Sequence, residues 1–138
     1  MSFIKVLVFG TFDILHPGHL SFLTQAKRQG DTLTVVVTRD AMVKLQKKHA
    51  PIFNERERMK VVGALKMVDR VLRGDPPGRW TIIRREKPDV ICVGYDQDAN
   101  HSAMKSLSKK PHIITLEALN SKRYSSSKIK NKSFNFRT

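Results

Sequence analysis

Cysteine is almost absent: Cys92 is the only one in 138 residues, which excludes a disulfide framework and a cysteine-rich zinc site. It lies in the apolar run DVICVG and reads as a small core residue rather than a nucleophile. Long hydrophobic runs are missing too, and nothing approaches the roughly 18 apolar residues needed to span a bilayer. A strand pattern begins almost at once after Met1, so no secretory leader is expected and the cytoplasm is the expected compartment. Acidic residues are scarce, 12 against 26 lysines and arginines, for a net charge of +14. After Glu117 there are none, while Lys122, Arg123, Lys128, Lys130, Lys132 and Arg137 follow. A positive field concentrates polyanions, triphosphates among them, and also binds nucleic acid through its phosphates. Aromatic residues make up only 7%, and none stands out as the exposed strand motif usual in RNA-binding modules. A basic nucleic-acid-binding module is therefore the alternative from another class. No linker or low-complexity segment interrupts the chain. Residues 1–138 read as one domain able to bury about two-thirds of its unfolded surface, with 132–138 as a solvated basic tail.

What is present is a regular alternation. Ile4 to Phe9, Thr32 to Thr38, Val68 to Leu72, Asp89 to Val93 and His112 to Leu116 read as strands, being short, apolar and rich in β-branched residues. Between them, Gly18 to Arg28 reads as a helix with Leu20, Leu23, Ala26 and Lys27 on one track, stopped at Gly30. Asn54 caps a second helix through Lys66, with Arg56, Met59, Val61, Val62 and Leu65 on a partly apolar face. Gly74 to Gly78 is a turn launching a helix that carries Trp80, Ile82 and Ile83. A last helix begins in the serines at 125–127 and runs through Ile129. Such alternation predicts an α/β fold: a doubly wound, parallel, five-stranded sheet with helices on both faces. Ligands then sit at the carboxyl ends of the strands, where GTFD, Thr38–Asp40 and Gly94–Asp98 converge.

The first of these segments carries the most chemistry. Strand one ends in Gly10-Thr11-Phe12-Asp13, and His16 and His19 bracket Pro17-Gly18. Proline suits the first turn of a helix, and a helix start following a strand offers backbone N–H groups and a positive dipole end to phosphate. His16 precedes the helix and His19 sits on its first turn, so both imidazoles reach one phosphate. The remaining histidines, His49, His101 and His112, have no ligand spacing.

GTFDILHPGH resembles, over ten contiguous residues, the GTFD and HxGH motifs of the nucleotidylyltransferase superfamily. The resemblance implies a Rossmann-like enzyme that transfers a nucleoside monophosphate and releases pyrophosphate. It assigns Gly10, Thr11 and Phe12 to the triphosphate and Asp13 to ordering the turn. It makes His16 and His19 the catalytic donors to the α-phosphate. Tyr124-Ser125-Ser126-Ser127-Lys128-Ile129 is similar to the second motif, ISSTKI, and places Ser125, Ser126 and Ser127 on the β- and γ-phosphates. Tyr124 and Ser127 depart from that pattern, and Arg123 lies closer to the serines than the arginine of the cytidylyltransferases. Lys47 falls where small cytidylyltransferases carry a phosphate-contacting lysine, and Lys66 where they carry the arginine of an RxxD segment. For both, a solvated face is the other reading. A divalent cation, magnesium by preference, is implied as the carrier of the triphosphate and needs few protein ligands; no protein metal site is assigned.

For nucleotide and acceptor, GYDQD resembles the GYDQ segment of archaeal FAD synthases, and PDVICVGYDQ and the proline within HPGH run the same way. The resemblance implies ATP and FMN as substrates and a homodimer. CTP with glycerol 3-phosphate, the glycerol-3-phosphate cytidylyltransferase reaction, is the alternative within the superfamily. Gly94 and Asp96 are then nucleotide-binding, and Asp40, Lys66, Tyr95 and Arg123 are acceptor-binding. Asp96 and Gln97 either read the adenine or order the loop. Tyr95, Phe12 and Trp80 are candidate walls for a flat ring, with Trp80 expected instead in the core.

Overall fold

In the computed structural model, residues 3–94, 97 and 107–119 are described. The elements are β1 (Lys5–Gly10), α1 (Pro17–Lys27), β2 (Thr32–Val37), α2 (Asp40–Lys47), α3 (Glu55–Gly63), β3 (Arg70–Arg73), α4 (Thr81–Glu86), β4 (Val90–Val93) and β5 (His112–Thr115). The five strands form one sheet in the order β3-β2-β1-β4-β5, and every pairing is parallel. The order reverses between β1 and β4, the crevice where such sheets bind ligands.

Alternation along β1 divides the core. Val6 and Val8 face one side with Leu33, Val35 and Val37 of β2, covered by Leu23 and Ala26 of α1 and Val62 of α3. Leu7 faces the other side with Val36, Ile91 and Val93, covered by Ile82 and Ile83 of α4. Helices therefore lie on both faces. Burying each of these branched side chains is worth about 1.5–3 kcal/mol, and Cys92 is fully buried among them, its thiol pushed up to about 11 by desolvation.

The amino ends of the strands are tied by three aspartates, each immediately before a strand. Asp31 accepts from Ile4 N–H at 2.7 Å, Asp69 from Leu33 N–H at 2.7 Å and Asp89 from Lys5 N–H at 2.8 Å. Each carboxylate satisfies a backbone donor at this rim. Lys27 and Lys109 pair with Asp69 and Asp89, and these bonds hold both carboxyls below the usual carboxylate range.

Several sequence expectations shift. The helix α2 stands where the sequence pattern marks no element: it follows Arg39, an N-cap without a side-chain hydrogen bond, and stops at Lys48, a non-glycine residue in the left-handed region (φ 61). It thus lacks both usual boundary signals. The helix expected to reach Lys66 ends at Gly63, and tight turns through Leu65 and Val68 lead into β3. Leu20 and Val61 are exposed. Trp80 is 39% exposed as the residue preceding α4, not in the core; Ile82 and Ile83 fill that place. The last helix and the tail at 132–138 lie outside the described residues.

Candidate active site

His16 is the N-cap of α1, with Pro17 at the first helical position. Its ring replaces the usual hydroxyl or carboxylate cap: Nδ1 accepts from Gly18 N–H at 3.1 Å. That bond leaves the ring proton on Nε2, a donor. His19, on the first turn, stacks on His16 with centroids 3.8 Å apart and planes at 25°. Burial, then the neighbouring His16 and Lys47 charges, lower the His19 pKa from 6.5 to about 4, against a smaller opposing effect of the Ile14 backbone. Nδ1 of His19 is buried and lacks a hydrogen-bond partner of full geometry. Partial burial lowers His16 as well. At neutral pH the pair is therefore uncharged, with the His16 Nε2–H as a donor.

The loop between β1 and α1 is shaped around Phe12. This residue sits at φ 51, an uncommon conformation for a bulky side chain. Its ring is buried and meets His19 edge to face at 5.3 Å. A Cβ on Gly10 would come within 2.4 Å of that ring, so glycine is required by Phe12 itself. Phe12 is accordingly a core residue beneath the histidines and not a wall of a ligand cleft, correcting that expectation. Asp13 is buried and accepts from Ile52 N–H and Phe53 N–H, both at 2.9 Å. It orders the α2–α3 loop rather than only its own turn.

Arg58 of α3, which sequence reasoning missed, is fully buried and joins the loops after β1 and β2. Its guanidinium donates to the carbonyls of Phe53 (2.9 Å), Thr11 (2.9 Å) and Thr38 (2.8 Å) and pairs with Asp40 at 2.7 Å. Nothing in NERERMK separates Arg58 from Arg56 or Lys60; only the tertiary fold does. Thr38 N–H also donates to the Gly10 carbonyl at 2.9 Å. Gln97 closes the other side, receiving Gly94 N–H at 2.8 Å and donating to the Phe9 carbonyl at 2.9 Å. Of its two readings, Gln97 takes the loop-ordering one.

Gly10, Thr11, His16, His19, Asp40, Lys47 and Gly94 are thus brought to the carboxyl rim of the sheet. Asp40 is occupied by Arg58 and by Glu55 N–H. Lys47 is exposed at the end of α2 and acts electrostatically on His19. Lys66 is not brought there: it lies in the turn that feeds the amino end of β3, on the opposite rim, because α3 has already carried the chain back across the sheet. Tyr95, Asp96, Arg123, Ser125, Ser126 and Ser127 lie outside the described residues. Among the described residues no group of three or more histidine, cysteine, aspartate or glutamate side chains is gathered as a metal site, and no helix is long and apolar enough to cross a membrane.

Comparison with known proteins gives a consistent picture. The profile of the cytidylyltransferase-like family matches residues 7–132. The chain is 50% identical over 93 residues to the FAD synthase of Ferroglobus placidus, covering 67% of this chain and 60% of that protein's length. It is 41% identical over 112 residues to the FAD synthase of Archaeoglobus profundus, covering 81% and 71%. Among solved structures, a lipopolysaccharide core biosynthesis protein from Thermoplasma volcanium superimposes with a TM-score of 0.80 at 34% identity, over 86% of this chain and 100% of that one.

Proposed function

The chain belongs to the cytidylyltransferase-like family, and we propose that it is an FMN adenylyltransferase. The observation that carries the transfer chemistry is the stacked His16–His19 pair at the start of α1, set directly after β1 on the carboxyl rim. The choice of ATP and FMN is supported by the identity to archaeal FAD synthases.

In this reaction a phosphate oxygen of FMN attacks the α-phosphorus of ATP. The new P–O bond completes FAD, the bond between α-phosphorus and the bridging oxygen breaks, and pyrophosphate leaves. The FMN phosphate is already ionised near neutral pH, so no general base is needed and catalysis rests on positioning and charge stabilisation. His16 and His19 donate to the α-phosphate oxygens as negative charge grows there. Because the rings are neutral at rest, an arriving triphosphate favours their protonation and strengthens both bonds. Lys47 draws the triphosphate towards the pair. Gly10 and Thr11 border the phosphates, held in place through Arg58 and Thr38. Ser125, Ser126 and Ser127 take the β- and γ-phosphates, and Gly94 with Asp96 borders the nucleoside.

A divalent cation, magnesium by preference, would be carried by the triphosphate and would neutralise its charge. The nearby carboxylates Asp13 and Asp40 are committed to backbone N–H groups and to Arg58, so no step is assigned through the metal. A cytoplasmic homodimer is part of the same reading, and sedimentation measures its oligomeric part.

The test is pyrophosphate release with ATP or CTP against FMN or glycerol 3-phosphate, with chromatographic detection of FAD. Turnover confined to ATP and FMN is the expected result. CTP with glycerol phosphate would replace both substrates. Steeply salt-dependent RNA binding without turnover would favour the nucleic-acid module. His16→Ala and His19→Ala are each expected to lower kcat by about 10²-fold or more.

A further inference from the structure

Beside the histidine site, on the other face of the sheet, lies a cleft of about 140 Å³ between α2 and the segment 74–80. Its walls are Phe9, Val36, Met42, Pro76, Trp80 and Ile83. Arg39, Gln46 and Arg79 supply polar groups at its edge. We propose that this cleft holds the isoalloxazine ring of FMN, with Trp80 as the stacking wall. The inference rests on the adenylyltransferase reading and names the residues that select its acceptor.

Position is the first argument. Phe9 and Thr38 both line the cleft, and they adjoin or bond Gly10 of the phosphate loop. A ligand lying in the cleft therefore has its end one residue from the loop that leads to the histidines. The cleft is on the β2–β3 side of the sheet, whereas the crevice between β1 and β4, where strand order reverses, is the usual nucleotide position. The cleft is left to the acceptor.

Lining is the second. A flat, largely apolar ring with polar edges wants an apolar slot and a few polar anchors, and an aromatic wall adds offset or edge contacts. Trp80 supplies that wall while remaining 39% exposed. Rigidity is the third. Arg39 Nε donates to the Gly74 carbonyl at 2.6 Å, and the Asp75 carboxylate accepts from the Thr81 hydroxyl and Ile82 N–H. The segment carrying Trp80 is thus pinned at both ends. At Gly78 (φ +80) a Cβ would meet nothing within 4 Å, which leaves the mouth open to a flat ligand.

Trp80 is the only tryptophan in the chain, so its emission reports the cleft directly. The full-length protein is titrated, with inner-filter correction, with FMN, with riboflavin (the ring without the phosphate) and with glycerol 3-phosphate. Saturable quenching by FMN and riboflavin, and none by glycerol 3-phosphate, is expected. In steady-state assays Trp80→Ala is expected to raise KM for FMN about tenfold with KM for ATP within about twofold, and Trp80→Phe to restore most of the loss. An unchanged KM for FMN in Trp80→Ala, while the wild type makes FAD, overturns the assignment and leaves the reaction standing. Saturable flavin quenching without FAD formation upholds the cleft and removes the reaction. Absence of both quenching and FAD overturns both.

Discussion

Arg58 offers the strictest test of how the loop between β1 and α1 is held. Replacing a buried ion pair by apolar residues is often neutral when both partners go. Here three of the four acceptors are backbone carbonyls, of Phe53, Thr11 and Thr38, and no substitution removes them. Arg58→Met fills much of the volume yet leaves those carbonyls without their donor. At about 1–2 kcal/mol for each stranded group, and little from Asp40 because its side chain is 31% exposed and rehydrates, the loss is about 3–6 kcal/mol. For a chain of this length that lowers Tm by roughly 10–20 °C. It is also a large part of a typical total stability of about 5–15 kcal/mol. Arg58→Lys keeps the charge but has a compact ammonium in place of the fork, and about half the loss is expected. Urea denaturation followed by circular dichroism gives both values, with the midpoint falling at constant m. A loss under about 1 kcal/mol for Arg58→Met would refute the clamp.

Acid should destabilise the fold in two stages. His19, lowered from 6.5 to about 4, takes up its proton more readily unfolded, so stability falls between those pH values as pH drops. Asp69 and Asp89, both below their ordinary 3.8, add a second loss as pH falls below that value through their folded pKa values. Urea midpoints from pH 7.5 to 3 should resolve both stages, and His19→Gln should shrink the first, leaving only the smaller share of His16, without changing the second; an unchanged first stage in that variant contradicts the burial argument. Gly10→Ala, whose Cβ meets the Phe12 ring, is expected to cost about 1–3 kcal/mol, with Phe12→Leu in the same chain recovering part of it in thermal melts. His19 Cε1–H should show no NMR titration between pH 5.5 and 8 without ligand, and its apparent pKa should rise on adding ATP.

The strands were legible because a parallel sheet buried on both faces demands unbroken β-branched runs such as TLTVVV. The histidine pair was legible because proline, glycine and two imidazoles at a helix start are an unusual local combination. Other features depend on distant parts of the chain. The role of Arg58 is defined by acceptors from three separate segments, none visible in its own helix. Trp80 looked like core because hydrophobicity cannot tell a buried site from a rim, and the core place beside it was already taken by Ile82 and Ile83. Lys66 sits three residues before Asp69, as a motif comparison requires, but the path of α3 delivers it to the wrong end of the strands. Gly10 reads in the sequence as room for close backbone approach, whereas the space is taken by the Phe12 ring, two residues away at a backbone angle the sequence does not announce.

The three aspartates that close the amino ends of β1 and its neighbours give the molecule a foundation remote from its chemistry. Register and strand spacing are fixed there, by bonds that involve neither α2 nor the segment 74–80. Those segments, carrying the cleft and the open turn at Gly78, can be exchanged without loosening the frame. On the proposed reading, a lineage built on this plan is free to change its acceptor while keeping the same histidine pair, and loop grafting between relatives should transfer acceptor preference without a matching transfer of stability.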